Sequence, residues 1–129
     1  MANPATPPPS VMRALNRTRG TILCERLEAA GGLGGRSRGL LGRDGLAADA
    51  GMLFRSSLPL MWMHMMFMRF PIDIVFLNRE NKVICICHDL RPWRFSPIVF
   101  GARSALELAA GAAAKTSAAI GDAINILPV

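Results

Sequence analysis

The chain has 129 residues, 51% of them hydrophobic, which is enough for one globular domain but not for two separate cores. The net charge of +6 is concentrated in residues 1–43, which hold seven arginines and two glutamates. Residues 1–53 contain no Phe, Trp or Tyr, so this basic part lacks the stacking groups of single-strand binders, and the sequence argues against nucleic acid as a partner.

Cysteine usage and the apolar segments bear on the cellular compartment. Cys24, Cys85 and Cys87 have no framework spacing, which predicts reduced thiols and a cytoplasmic location. The first ten residues contain four prolines and no apolar core of a leader, so no secretory signal is predicted. The apolar run 58–70 is interrupted by His64 and is too short for a membrane span.

The N-terminal half is expected to contain a tail and two strands. Residues 1–17 are predicted to form a proline-rich, extended or disordered tail, and residues 18–129 a single β-rich domain. The apolar and β-branched run 21–28 predicts a strand, and the glycine-rich run 29–35 a flexible connection. Residues 37–43 favour a turn or two of helix capped by Ser37, and residues 51–54 a short buried strand.

Residues 58–77 are the most apolar part of the chain and are expected to form the middle of the core. If residues 61–66 are extended, the methionines at 61, 63 and 65 share one face, and the residues between them share the other. Pro71 predicts a bend at the end of this run. Residues 72–77 are the clearest predicted strand, and a turn at 78–81 leads into an antiparallel partner at 82–87.

The C-terminal part is expected to contain a loop, two more strands and a helix. Residues 90–100 hold two prolines among aromatic residues and are predicted to form an ordered loop whose aromatic side chains cover the end of the core. Residues 104–108 and 122–127 alternate as strands, and residues 109–119 predict a short helix ended by Gly121. The fold class is therefore mainly β, with six to seven short strands and one or two short helices in a compact β-sandwich or partly closed barrel.

A histidine, an arginine and an aspartate lie within the apolar run 58–77, where burial is costly unless each finds a partner. An imidazole oriented by a carboxylate is the usual general base, so His64 and Asp73 are the candidate catalytic pair of a small enzyme. The alternative is a turn-capping Asp73 and a hydrogen-bonded core histidine. No activated nucleophile accompanies the pair, because Cys85 and Cys87 alternate on an apolar strand and are expected to be inert.

Methionine-rich segments also occur in Cu(I) sites, because thioethers select this ion. Met63, His64, Met65 and Met68 are the candidate ligands. Methionine is equally the adaptable filler of irregular cores, and packing is the favoured interpretation, so no metal and no cofactor is predicted.

The leading hypothesis is a noncatalytic module that binds a small molecule or a peptide in a groove near the 92–97 loop. The residues expected to line it are His64, Asp73, Trp93, Arg94 and Arg103. Arg94 and Arg103 flank the aromatic loop and are suited to hold an anionic group through paired hydrogen bonds, while surface ion pairs with Glu107 or Asp89 are the alternative. The identity of the ligand and the oligomeric state stay open.

A series of motifs runs along the chain: residues 38–43, His64, residues 68–77, Leu90-x-Pro92-Trp93-Arg94, residues 102–111, and Gly121-Asp122. In order and spacing the series resembles the family labelled domain of unknown function 192, over roughly residues 18–127. The resemblance implies a small β-rich domain of sandwich or barrel type, found in bacteria and archaea, without an established activity. It therefore transfers no catalytic residue.

The chain also departs from the pattern that this resemblance suggests. Many members have a Trp-Met-Lys-Asn-Thr run where this chain has residues 64–68, so the chain resembles a histidine-containing variant. The methionine-rich filling and Ala109, where the family usually has proline, are further departures. Many relatives carry secretion signals, which are not predicted here.

Overall fold

The computed structural model of the protein describes residues 11–30, Leu40 and residues 43–129. In that part of the chain the elements, in chain order, are β1 (Val11–Asn16), β2 (Thr21–Ala29), β3 (Ala50–Arg55), β4 (Leu60–Met61), β5 (Ile72–Leu77), β6 (Val83–Leu90), β7 (Val99–Phe100), β8 (Ser104–Ala109), α1 (Ala112–Lys115) and β9 (Ile124–Pro128). Seven strands form one sheet in the order β6-β5-β8-β3-β2-β1-β9, and β4 pairs with β7 in a small second sheet.

The seven-stranded sheet curls into a half-barrel, so its two edge strands approach one another. At the start of β6 the Val83 amide donates to the Asp122 carbonyl at 2.9 Å, and the Gly121 amide donates to the Val83 carbonyl at 2.8 Å. Lys82 and Ala123 add an isolated bridge at the same place. The expectation of a mainly β fold with a partly closed barrel is confirmed.

The ends of the described domain lie side by side in this sheet. β1 is the central strand of the β2-β1-β9 edge and pairs antiparallel with both neighbours. The Val129 amide donates to the Val11 carbonyl at 3.2 Å. Among the strand pairs that the described residues form in the main sheet, only β2–β3 is parallel.

Two apolar cores lie on opposite faces of the sheet. The inner core includes Leu27, Leu53, Val75, Leu106 and Ile124, with Ala112 and Ala113 of α1 packed against them. The outer core includes Phe54, Ile74, Phe76, Ala105 and the methionines of residues 61–68. Because side chains alternate along a strand, β5 sends Val75 and Leu77 inward and Ile74 and Phe76 outward, and all six of its residues are buried.

The central hairpin of the predicted fold is confirmed. β5 has the predicted bounds, Pro71 precedes it, and β6 returns antiparallel to it. The side-chain oxygen of Asn78 accepts the amides of Glu80 and Lys82 at 2.9 and 3.0 Å. Asn81 has a left-handed backbone with φ 58°, a conformation that asparagine tolerates well. The predicted strands at 21–28, 51–54, 104–108 and 122–127 are also present, as β2, β3, β8 and β9.

The predicted tail boundary is wrong, because β1 lies inside the segment 1–17. Ala14 and Asn16 of this strand are fully buried. The alternation of residues 11–16 was missed because Arg13 and Asn16 interrupt its apolar character and prolines precede it. The structure therefore places residues 11–17 in the folded domain.

The predicted helix over residues 109–119 is reduced to a single turn. Ala109 stays in β8, opposite Ile72 of β5. Gly111 and Ser117, with φ 94° and 59°, bracket the turn, so sheet pairing and two left-handed residues override the helical preference of alanine. The predicted helical turn at 37–43 and the flexible connection fall largely outside the described residues. No helix within the described ranges is long and apolar enough to cross a membrane.

Candidate functional site

Residues 61–66 form an extended segment that separates methionines from aromatic groups. Met61, Met63 and Met65 are buried against the outer core. Trp62 and His64, which alternate with them, are exposed. The predicted division of this segment into two faces is confirmed, although only Leu60–Met61 qualifies as regular strand.

The loop at residues 91–98 is fastened to this segment by backbone hydrogen bonds. The Met65 amide donates to the Arg94 carbonyl at 2.8 Å, and the Trp93 amide donates to the Met65 carbonyl at 2.7 Å. The Ser96 amide donates to the Met63 carbonyl at 2.9 Å, and the Met63 amide donates to the buried Ser96 hydroxyl at 2.8 Å. The loop that carries the second tryptophan is therefore held in register beside residues 63–65.

Aromatic side chains from both segments face solvent on the same side of the molecule. We call the group the aromatic surface; its members are Trp62, His64, Phe67, Trp93 and Phe95. The Phe and Trp members are 46–65% exposed. Ring centroids lie 5.7 Å apart for Trp62 and Phe95, 6.1 Å for Trp62 and His64, and 4.9 Å for Phe67 and Trp93. The expectation that the loop aromatics cover the core is wrong, because the methionines and Val99 fill that space instead.

Two members of the aromatic surface have a strained backbone. Phe67 and Trp93 both adopt left-handed conformations, with φ 65° and 67°. For bulky side chains such angles are outliers that cost about 1–2 kcal/mol each and tend to mark functional sites. Their rings contact one another, so the two strained residues hold a single exposed ring pair.

His64 presents one ring nitrogen to solvent. Its Nδ1 accepts the Met66 amide at 3.3 Å. A neutral imidazole that accepts through Nδ1 carries its proton on Nε2. Nε2 has no partner among the described residues, so it is the nitrogen available to a ligand.

A groove adjoins the aromatic surface. It has a volume of about 390 Å³ and is lined by residues 54–58 and 60–64. Trp62 and His64 stand at its rim, and among the described residues that line it Arg55 is the only charged one. Concave sites of this volume are typical of small-ligand or side-chain pockets.

Asp73, which the sequence grouped with His64, lies elsewhere. It is fully buried, on the inner face of β5. Its carboxylate accepts the amides of Asp89, Gly111 and Ala113 at 2.9, 3.1 and 3.0 Å. It thereby anchors α1 and the end of β6, while His64 lies on the outer side of the sheet. The structure does not bring the candidate catalytic pair together, and Asp73 takes no part in the groove.

The two candidate arginines are also separated. Arg94 belongs to the loop of the aromatic surface, and no carboxylate of the described residues forms an ion pair with it. Arg103 lines a second cavity of about 410 Å³ beyond the end of β5. Neither Arg94 nor Arg103 forms an ion pair with a carboxylate of the described residues, and Asp89 pairs instead with Arg91 at 3.5 Å.

The candidate copper ligands point in opposite directions. Met63, Met65 and Met68 are buried in the outer core, and His64 is exposed on the other face of the segment. The thioethers and the imidazole therefore do not converge. The described residues also contain no group of three or more His, Cys, Asp or Glu side chains placed to hold a metal ion.

The thiols of Cys24 and Cys87 fill space in the protein rather than act as nucleophiles. Burial raises the pKa of Cys24 to about 11. Burial, followed by the neighbouring Cys85, raises the pKa of Cys87 to about 11 as well. A thiol with such a pKa is protonated at neutral pH and is a poor nucleophile.

Sequence reasoning found His64, Trp93 and Arg94 but missed Trp62, Phe67 and Phe95. The signal for Trp62 was present, since it alternates with buried methionines. Phe95 was assigned to the core because large aromatic residues are usually buried. Phe67 has no sequence signal, because its orientation follows from a left-handed backbone.

The chain belongs to a family of uncharacterised small β-rich proteins, DUF192, described as "Uncharacterized ACR", whose pattern matches residues 14–126. A UPF0127 protein of Thermococcus sibiricus is 30% identical over 112 residues, which cover 86% of this chain and 72% of that protein.

Two solved structures share the fold. One is a protein of unknown function from Novosphingobium aromaticivorans, with a TM-score of 0.76, 24% identity, and coverage of 89% of this chain and 83% of that one. The other, from Sinorhizobium meliloti, is described as a "putative transcription regulator" and has a TM-score of 0.76, 23% identity, and coverage of 92% and 94%. At these identities the likeness establishes the fold alone.

Proposed function

We propose that this protein is a noncatalytic binding module that takes an extended, apolar peptide segment on the aromatic surface and in the adjoining groove. The observation that carries the proposal is the exposure of both tryptophans and of Phe67 and Phe95 in one fixed arrangement. Exposed apolar groups that cluster in this way mark interaction sites in soluble proteins.

The residue types at this surface favour a polypeptide ligand. Tryptophan and arginine dominate the binding energy of protein interfaces, and aromatic-lined grooves recognise extended chains. Trp62 at the groove rim is suited to contact a ligand side chain that enters the groove, while Arg94 and Arg55 favour an acidic residue beside the apolar ones. His64 Nε2 adds a donor for a ligand carbonyl.

The backbone of the surface is rigid before any ligand arrives. The hydrogen bonds between residues 63–65 and 93–96 fix the relative positions of the two ring groups. A preformed surface of this kind loses little conformational entropy on binding. The alternative of a His64–Asp73 acid–base pair is not favoured, because the Asp73 carboxylate accepts backbone amides on the other face of the sheet.

Selection from a random decapeptide library tests the proposal. Wild-type protein serves as the target, and a Trp62→Ser/Trp93→Ser double variant serves for counter-selection. We expect enriched peptides that are apolar with acidic residues. Each single variant should weaken their binding at least tenfold, measured by calorimetry.

Ile120→Ser is the matched control, because Ile120 is also exposed but lies in the loop before β9, outside the aromatic surface. Circular dichroism establishes that all variants are folded. The proposal fails if no selected peptide distinguishes the wild type from the double variant, or if Ile120→Ser weakens binding as much as the tryptophan variants.

A further inference from the structure

The cavity of about 410 Å³ near Arg103 lies at the end of β5 and β8 that is remote from α1. It is formed where β3 ends, β8 begins and the β5–β6 turn folds over both. The backbone there is tightly connected: the Arg103 amide donates to the Leu77 carbonyl at 2.8 Å, and the Ser56 amide donates to the Arg103 carbonyl at 2.9 Å. The walls of the cavity are therefore fixed by the sheet.

Three arginines line this cavity: Arg55, Arg79 and Arg103. The described residues that line it include no carboxylate, and none of the three arginines forms an ion pair within the described part of the chain. Glu80, next to Arg79 in the turn, is exposed and is not a lining residue. Three unpaired guanidinium groups around one cavity repel one another, and an anion between them removes that cost.

Ser104 supplies an independent indication of a ligand. The residue is only 3% exposed, it lines the cavity, and its Oγ is buried without a hydrogen-bond partner. Arg55 lies directly opposite Ser104 in the β3–β8 pair, so both side chains project from the same face of the sheet. A buried hydroxyl without a partner destabilises the folded protein, and a bound acceptor would remove that cost.

The β5–β6 turn completes a set of donors. The Asn78 side-chain oxygen is occupied by the amides of Glu80 and Lys82, so its NH₂ group is left as a donor at the cavity wall. Guanidinium, hydroxyl and amide groups together match the oxygen atoms of a phosphate, which accepts paired hydrogen bonds from arginine.

We infer that this cavity binds a phosphate group. The groups that hold it are the guanidinium groups of Arg55, Arg79 and Arg103, Ser104 Oγ and the side-chain NH₂ of Asn78. The volume exceeds what phosphate alone fills, so the site has room for the organic part of a small phosphate monoester. The site contains none of the aromatic residues but adjoins the groove, with which it shares Arg55 and Ser56, so its test uses Arg79, Arg103 and Ser104 rather than Arg55 or the tryptophans.

Calorimetry with three probes tests the inference: inorganic phosphate, glycerol phosphate and adenosine monophosphate, all at equal ionic strength. Binding of the monoesters more tightly than inorganic phosphate indicates a phosphorylated small molecule as ligand, and equal binding indicates the free ion. Arg79→Gln and Arg103→Gln should each weaken binding at least tenfold. Arg17→Gln, which removes the same charge from an exposed position in the β1–β2 turn, should change it less than about twofold.

Ser104→Ala separates the ligand role from a structural one. Removal of a buried hydroxyl without a partner should raise the melting temperature in the absence of ligand, while the affinity for the probe falls at least tenfold. Ser104→Thr, which keeps the hydroxyl, should retain binding. The inference is overturned if none of the probes binds at millimolar concentration, if Arg17→Gln weakens binding as much as Arg79→Gln, or if Ser104→Ala binds as wild type does.

Discussion

Asp73 and Trp62 come from the same apolar stretch of sequence but lie in opposite environments. Asp73 is sealed inside the sheet, and each of its carboxylate oxygens is satisfied by backbone amides. Trp62 and Trp93 would contribute strongly to a core, yet they stand in solvent above a layer of methionines. We therefore expect the buried Asp73 and the buried methionines to contribute more to stability than the exposed aromatic groups do.

The largest expected effect comes from removal of the anchor. Asp73→Ala should lower the free energy of unfolding by about 3–5 kcal/mol, because the amides of Asp89, Gly111 and Ala113 all lose a charged acceptor. Urea denaturation followed by circular dichroism measures the loss. Asp44→Ala is the control, since its ion pair with Arg69 is highly exposed and should contribute less than about 1 kcal/mol. Equal effects of the two variants would show that Asp73 is not an anchor.

A second pair of variants compares the two layers of the methionine-rich segment. Met65→Ala should cost about 2–4 kcal/mol, because the fully buried side chain leaves a cavity. Phe95→Ala, on the exposed layer, should cost less than about 1 kcal/mol, mainly through the lost contact with Trp62. If Phe95→Ala proves as destabilising as Met65→Ala, the aromatic surface is part of the core after all.

A smaller effect is expected at Asp122, which joins the β1–β2 turn to the loop before β9. Burial disfavours its charge, but hydrogen bonds from Arg19, Asn16 and Ala119 outweigh this and lower the pKa of Asp122. The carboxylate thus stabilises the fold above pH 3.8, its ordinary value, and this contribution disappears as the pH falls through the folded-state pKa.

Asp122→Asn should accordingly lower the urea midpoint at pH 6. The difference from wild type should shrink as the pH falls below the ordinary pKa of a carboxyl group. Midpoints measured across the acid range provide the check. If the difference in midpoint stays constant with pH, Asp122 stabilises the fold through packing rather than through its charge.

The smallest effect is expected at the strained ring pair. Phe67→Asn relieves the left-handed backbone but loses the contact with Trp93, so the free energy of unfolding should change by less than about 1 kcal/mol. Phe95→Asn loses a ring contact without any such relief and should be the less stable of the two variants, as thermal melting would show. The reverse order would indicate that the backbone at residue 67 carries little strain.

Much of the fold could be predicted because local pattern and tertiary environment agree. Apart from Asp73, residues 72–77 are apolar on both faces, and the strand is buried on both faces. The alternation of methionine with Trp62 and His64 identified the two layers of the next segment. The family resemblance pointed to the same β-rich domain that the structure and the family pattern show.

The remaining features depend on contacts that the sequence does not display. β1 is stabilised by its neighbours on both sides rather than by its own composition. The alanine-rich run does not form the full predicted helix, because Ala109 pairs with β5. The hydrogen-bond partners of Asp73 could not be inferred, because they are backbone amides, which residues carry whatever their side chain. The cavity beside Ser104 arises from three segments that are distant in sequence.

The pairing of β1 with β9 has a consequence during synthesis. β1 cannot complete its pairing until β9 has been synthesised, since Val11 and Val129 meet at the same corner. Until then, the nascent chain exposes one flank of β1, the side on which Ala14 and Asn16 pair with β9. Completion of the sheet thus requires two strands that lie more than 100 residues apart in the sequence.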